Sequence, residues 1–181
     1  MFNKFLQYTS TFVFFSIVSF ACAEKALLND KMSLALKTFN PRFEAWKPDD
    51  YLPAIQQSAI EKKHLPYALI LDVNKDKKND IVLDGHDDKN NLLICLLSNP
   101  KGYSVITIDK NDLTNPQTLE HWNDGKKEFG LNYYLWPNND GTGFTLAYPQ
   151  EVDAEGGLSE DGAMVELNFK DGKFHETVET L

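Results

Sequence analysis

Cysteine is scarce in this sequence of 181 residues, which contains only Cys22 and Cys95. Cys22 lies in the apolar N-terminal stretch, so the body of the chain has one cysteine and cannot form an intramolecular disulfide. Cys95 sits inside the apolar run NLLICLLSN, where we expect a buried small hydrophobic residue rather than a nucleophile. The fold must therefore depend on its hydrophobic core, with or without a bound metal.

Catalytic motifs are also missing, since the sequence has no G-x-S-x-G, no H-E-x-x-H and no phosphate loop. His64, His121 and His175 are isolated and have no metal-ligand spacing. Only DGHDD (84–88) groups a histidine with acids, namely His86 with Asp84, Asp87 and Asp88. A metal-dependent hydrolase centred on Asp84–Asp88 is therefore an alternative. The same residues are ordinary at a strand end and turn, so we expect no enzyme.

No apolar run reaches the roughly 20 residues that a membrane-spanning helix needs. Residues 1–23 instead follow the order of a secretory signal peptide, with Lys4, then an apolar segment (12–20), then Ala-Cys-Ala. We predict cleavage after Ala23 and a secreted or periplasmic protein. Two alternatives remain: an uncleaved anchor, or an outer-membrane lipoprotein tethered to the membrane through Cys22.

Positive charge is in deficit, because 18 Lys and Arg face 27 Asp and Glu, for a net charge of −9. Cleavage would remove Lys4 and no acid, which takes the predicted mature chain (24–181) to −10. Nucleic-acid binders need clustered basic residues, so we exclude nucleic acid as a partner. A cation or a basic protein is favoured electrostatically. An acidic inhibitor or immunity-type protein of a basic secreted partner is thus an alternative function.

The chain from 24 to 181 reads as a single α+β domain. Apolar residues at helical spacing predict one or two helices within 26–64, and residues 66–181 are rich in strand patterns separated by turn signals. We predict an antiparallel meander, in which a polar stretch (109–127) connects two groups of strands. The run NLLICLL does not alternate, so its strand should be central and buried on both faces.

The segment LDVNKDKKNDIVLDG (71–85) places oxygen-bearing side chains at alternate positions between two predicted strands. Counted from Asp72, they fall at positions 1, 3, 5 and 9, which are Asp72, Asn74, Asp76 and Asp80. The Lys78 carbonyl, at position 7, would add a fifth ligand. Such an oxygen set suits Ca²⁺, which takes six to eight oxygen ligands. The alternative is a solvated hairpin turn, since Asp and Asn favour turns for backbone reasons.

Position 12 of this loop is Leu83 and both flanks are strands, which excludes an EF-hand. The segment 67–99 instead resembles the FG-GAP or VCBS repeat, a strand–calcium loop–strand motif of integrin alpha chains and bacterial secreted proteins. The resemblance implies a Ca²⁺-stabilised hairpin. Lys77 stands where that family has glycine, and one copy does not make a propeller. We therefore expect a non-enzymatic binding or interaction module for an unknown protein or glycan partner, with structural Ca²⁺.

Overall fold

The computed structural model describes residues 27–113, 120–123, 126–148 and 163–179. The predicted signal peptide (1–23), its cleavage site and Cys22 lie outside the described residues. Within the described part of the chain, no helix is long and apolar enough to cross a membrane.

Two helices occupy the predicted helical region. Helix α1 (Asp30–Phe39) begins after Asn29, whose side chain accepts hydrogen bonds from the backbone N–H groups of residues 31 and 32. Helix α2 (Pro53–Lys62) has proline at its first position and ends at Lys63 in a left-handed conformation. A short 3₁₀ helix (Pro48–Asp50) lies between them. The prediction of one or two helices within 26–64 is therefore confirmed.

Eleven strands make up most of the rest of the described chain. In order they are β1 (Glu44–Ala45), β2 (Ala68–Leu71), β3 (Asp80–His86), β4 (Asn90–Asn99), β5 (Gly102–Asp112), β6 (Glu120–Asn123), β7 (Lys126–Phe129), β8 (Tyr134–Pro137), β9 (Gly143–Tyr148), β10 (Ala163–Lys170) and β11 (Lys173–Glu179). All pair antiparallel. Two helices with antiparallel sheets make this an α+β fold, as predicted.

The strands divide into three sheets rather than one meander. The first sheet has the order β1-β3-β4-β5, with β2 beside β1 on the same edge of β3. The second has the order β8-β9-β10-β11, and β6 pairs only with β7. The polar stretch 109–127, predicted as a connection, in fact contains β6 and the start of β7. Its polar composition has no strand pattern, so these two strands were not predicted.

Strand β4 lies between two hydrophobic clusters. On one side Leu92, Ile94 and Leu96 pack with α1 and the segment around Tyr51. On the other, Leu93 and Cys95 pack with residues of the second sheet, including Phe144. The strand was predicted to be buried on both faces, and this is confirmed. The first sheet is thus the middle layer between the helical segment and the second sheet.

Candidate functional site

The predicted metal loop connects β2 to β3. These strands form an antiparallel hairpin in which Leu71 pairs with Asp80, so residues 72–79 make the connection. The strand flanks expected from the sequence are therefore present. The loop leaves the first sheet at its β2 edge and returns into β3, which is buried along most of its length.

The first half of the loop is wound around the carboxylate of Asp72. Asp72 Oδ1 accepts a hydrogen bond from the N–H of Asp76 at 2.9 Å, and Oδ2 accepts one from the N–H of Lys77 at 3.0 Å. Asn74 Oδ1 accepts from the same N–H of Asp76 at 3.1 Å. The oxygens at positions 1 and 3 are therefore brought together on one side of the curl.

Two lysines of the loop have a left-handed backbone conformation. Lys75 has φ 60° and Lys77 has φ 63°, both in the left-handed region that favours glycine. Lys77 is the residue that replaces the glycine of the resembled motif. The chain therefore takes the conformation that a glycine would take there, at a cost of roughly 1 kcal/mol for a residue with a Cβ.

Asp76 is held by Ser98, which no sequence pattern pointed to. The Ser98 hydroxyl lies 3.0 Å from each carboxylate oxygen, and the N–H of Lys78 donates to Oδ1 at 2.9 Å. Desolvation is the largest single influence on the pKa of Asp76 and acts to raise it. The Lys78 N–H, the Ser98 hydroxyl and the Lys78 ammonium, 3.4 Å away, together lower it below its ordinary value. Asp76 is thus an ionised carboxylate next to the end of β4.

Asp80 lies at the base of the loop, where β3 begins. It is fully buried, with Oδ2 accepting from the N–H of Val73 at 2.9 Å and Oδ1 from the N–H of Ser98 at 2.7 Å. Asn74 Nδ2 also donates to the Ser98 carbonyl at 3.0 Å. Asp80 and Asn74 thereby tie both ends of the loop to the end of β4.

The donor chemistry of the loop fits a hard cation, since every candidate ligand atom is an oxygen. A carboxylate oxygen that accepts one N–H bond keeps a further lone pair. Among the residues described, however, no group of three or more His, Cys, Asp or Glu side chains is arranged to hold a metal ion. Asp72 and Asp76 belong to the curl of the loop, whereas Asp80 is engaged by backbone N–H groups beneath it.

A second acidic turn lies beside the loop. A cavity of about 430 Å³ has lining residues from both segments, including Asp72 and Asn79 from the loop and Asp140 from the turn between β8 and β9. The Thr142 hydroxyl and N–H, with Lys75 as a further cause, lower the pKa of Asp140. This proximity could not be predicted, because WPNNDGTGF (136–144) lacks the alternating oxygen pattern of residues 72–80.

The side chains of His86, Asp87 and Asp88 contact different parts of the fold. The ring of His86 stacks on Trp46 with centroids 4.1 Å apart. Asp87 accepts hydrogen bonds from the backbone N–H groups of residues 89 and 90, and these bonds are the main reason that its pKa falls to about 2. Asp88 forms an ion pair with Arg42. Each of these side chains therefore has a structural partner.

Asp84 lies in a buried polar network. Its Oδ2 accepts hydrogen bonds from the hydroxyls of Tyr51 and Tyr133, both at 2.8 Å, and Oδ1 has no partner among the described residues. Asn91 extends the network by donating to the Tyr133 hydroxyl at 3.0 Å and accepting from Trp46 Nε1 at 2.9 Å. Burial raises the pKa of Asp84 to about 7, although the two hydroxyls oppose the shift.

Cys95 and two of the isolated histidines have contacts within the fold. Cys95 is fully buried in β4, where burial raises the pKa of its thiol. His64 packs against Trp136, and His175 contacts the carbonyl of Lys170. The side chain of His121 lies outside the described residues.

Comparison of the chain with models of known protein families, with curated proteins and with solved structures found no match.

Proposed function

We propose that this protein is a secreted or periplasmic, non-enzymatic binding module in which the loop 72–80 binds one structural Ca²⁺. The observation that carries the proposal is the winding of the loop around Asp72, with Lys77 in the left-handed conformation that the FG-GAP motif assigns to glycine. The ligands would be the side chains of Asp72, Asn74, Asp76 and Asp80 with the carbonyl of Lys78.

A bound Ca²⁺ would neutralise the carboxylates of the loop and fix the β2–β3 hairpin. The chain's own residues already link that hairpin to the first sheet, since Asp80 and Asp76 both hydrogen-bond to Ser98. Binding at this position would therefore stabilise the middle layer of the fold rather than expose a reactive centre. The structural partners of His86, Asp87 and Asp88 support the same non-enzymatic reading.

Calorimetric titration of the chain from residue 24 with CaCl₂ tests the proposal. Ca²⁺ binding is expected to release measurable heat and to raise the melting temperature, because a ligand at 100 times its Kd adds about 2.7 kcal/mol to the free energy of unfolding. Asp72→Asn should abolish both effects. Asp88→Asn removes the same charge outside the loop and should leave both intact. Absence of heat and of any melting shift at millimolar CaCl₂ would contradict the proposal.

A further inference from the structure

On its outer face, the second sheet has an aromatic, a hydroxyl and a carboxylate side chain in one row. Trp136 of β8 pairs with Thr145 of β9, and Thr145 pairs with Glu166 of β10, so the three lie side by side across three strands. Their neighbours along the strands, Leu135 and Phe144, are buried in the core. Because successive side chains of a strand alternate between faces, Trp136, Thr145 and Glu166 face away from that core.

Asn138 organises the polar part of this row. Its Nδ2 donates to Glu166 Oε1 at 2.7 Å and lies 3.2 Å from Asn168 Oδ1, and its Oδ1 accepts from the Thr145 hydroxyl at 3.1 Å. Gly143 leaves the room for this arrangement, because a Cβ there would lie 2.6 Å from Asn168 Oδ1 and 2.9 Å from Asn138 Nδ2. The amide and carboxylate groups are therefore fixed in place before any ligand arrives.

The aromatic part of the row is fixed by the end of α2. The ammonium of Lys62 lies over the Trp136 ring, 4.4 Å from its centroid, and the His64 ring meets Trp136 edge-on at 5.2 Å. A cation over an indole face is an attractive contact. The half-buried Trp136 thus has a defined orientation next to the polar cluster, which lowers the entropy lost when a ligand binds.

Between the two parts lies a cavity of about 280 Å³, lined among others by Trp136, Asn138, Asn139, Thr145, Met164 and Glu166. Drug-sized ligands occupy pockets of roughly 300–1,000 Å³, so this one suits a smaller molecule or the end of a chain. Its lining includes the acid Glu166 and no basic residue, while the Lys62 ammonium lies over the Trp136 ring. A carboxylate and an ammonium at one site favour a neutral polar ligand over an anion.

The geometry points to a saccharide-binding site at this cavity, with Trp136 contacting the apolar C–H face of a sugar ring and Glu166, Asn139 and Thr145 hydrogen-bonding its hydroxyls. A carboxylate has about four acceptor sites and Glu166 has one of them occupied by Asn138, while Asn139 contributes both donors and an acceptor. The inference rests on the proposed role as a binding module and assigns that module a ligand class.

The test is NMR titration of ¹⁵N-labelled protein with neutral trisaccharides, namely cellotriose, maltotriose, mannotriose and tri-N-acetylchitotriose, and with spermidine as a cationic probe. The chain has three tryptophans, so the indole N–H signals separate Trp136 from Trp46, which is hydrogen-bonded to Asn91. At least one trisaccharide should shift the Trp136 signal and leave that of Trp46 in place.

Variants then locate the site and identify the ligand class. Trp136→Ala should raise the Kd by about tenfold or more, and the exposed Asn139→Ala should raise it with no effect on folding. Glu166→Gln keeps the acceptor for Asn138 but replaces one carboxylate oxygen with an amide group, so the Kd should rise about threefold, less than for Trp136→Ala. Phe39→Ala, a change of an exposed aromatic on α1, should leave the Kd unchanged.

Three results would overturn the inference: no trisaccharide shifts Trp136, binding survives both Trp136→Ala and Asn139→Ala, or spermidine binds and Glu166→Gln abolishes it. The last result would assign the cavity to cationic ligands. Calcium calorimetry on the same samples reports on the loop 72–80 separately. Failure at the cavity is therefore distinguishable from failure of the proposed calcium site.

Discussion

The hydroxyl of Tyr51 donates a hydrogen bond of 2.8 Å to Oδ2 of Asp84, and both residues are buried. The bond joins the segment before α2 to β3, across a sequence separation of 33 residues. The ion pairs found among the described residues do not include Asp84, and its Oδ1 has no hydrogen-bond partner there. A carboxyl group in such surroundings holds its proton more tightly than it would in water.

Asp84→Asn is expected to change how stability depends on pH. The folded-state pKa of about 7 lies well above the ordinary aspartate pKa of 3.8, so folding favours the protonated form. The resulting stability is complete below pH 4 and is lost as pH rises towards 7, at up to about 1.4 kcal/mol per pH unit. Asparagine does not ionise. Urea unfolding from pH 4 to pH 8 should therefore show the variant improving relative to wild type as pH rises.

The charged group facing Asp84 that contributes to this shift is Asp109 on β5, whose negative charge adds to the effect of burial. Asp76, Asp87 and Asp140 have lowered pKa values and act in the opposite direction, at low pH. Their contributions to the free energy of unfolding are the same in wild type and in Asp84→Asn, so they cancel when the two proteins are compared. A difference in unfolding free energy that stays constant from pH 4 to pH 8 would contradict the prediction.

Tyr51→Phe is expected to destabilise the protein more at pH 8 than at pH 4. The change keeps the ring in the core and removes one of the two hydroxyl donors to Asp84. A hydrogen bond to a charged group contributes about 1.5–3 kcal/mol, against about 0.5–1.5 kcal/mol for a neutral pair. Urea unfolding of both proteins at the two pH values measures the difference. Tyr103→Phe, on the half-exposed side of β5, is the control and should show no such pH dependence.

Structural features that depend on a short stretch of sequence could be predicted. The unbroken apolar run NLLICLL predicted a strand buried on both faces. Asp171-Gly172 is a dipeptide typical of tight hairpin turns; it joins β10 to β11, and both residues have positive φ (52° and 82°). The oxygen spacing from Asp72 to Asp80 likewise placed the loop between two paired strands.

Relationships across the fold were not predictable in this way. Tyr133 reaches Asp84 over 49 residues, and Asp140 lines a cavity with Asp72 although the two lie in loops that connect strands of different sheets. The division into separate sheets depends on which faces bury against one another, and strand composition does not encode that choice. Ser98 was missed for the same reason, since it resembles any polar residue that ends a strand.

Asp80→Ala is expected to cost the protein roughly 2–5 kcal/mol in the free energy of unfolding. The substitution leaves the buried N–H groups of Val73 and Ser98 without acceptors, and each unsatisfied group costs about 1–3 kcal/mol. Urea unfolding in the presence of EDTA isolates this effect from any metal. Asp88→Ala removes an exposed ion pair instead and should cost about 1 kcal/mol or less. Equal costs for the two variants would show that Asp80 has no special structural role.

Lys77→Gly is expected to stabilise the protein and to tighten Ca²⁺ binding. Lys77 has φ 63°, and glycine adopts that conformation without the Cβ clash that costs a lysine roughly 1 kcal/mol. The change also removes a positive charge next to the carboxylates of the loop. Urea unfolding in EDTA should show the gain in stability, and calorimetry with CaCl₂ should show the lower Kd.

Lys78→Gly is the matched control for this prediction. It removes the same charge one residue further on, but Lys78 is not among the described residues with positive φ. Glycine there adds flexibility to the unfolded chain without relieving strain, so the free energy of unfolding should fall rather than rise. Similar changes in stability for the two variants would mean that Lys77 is not strained. A lower Kd for both would assign the tighter binding to charge alone.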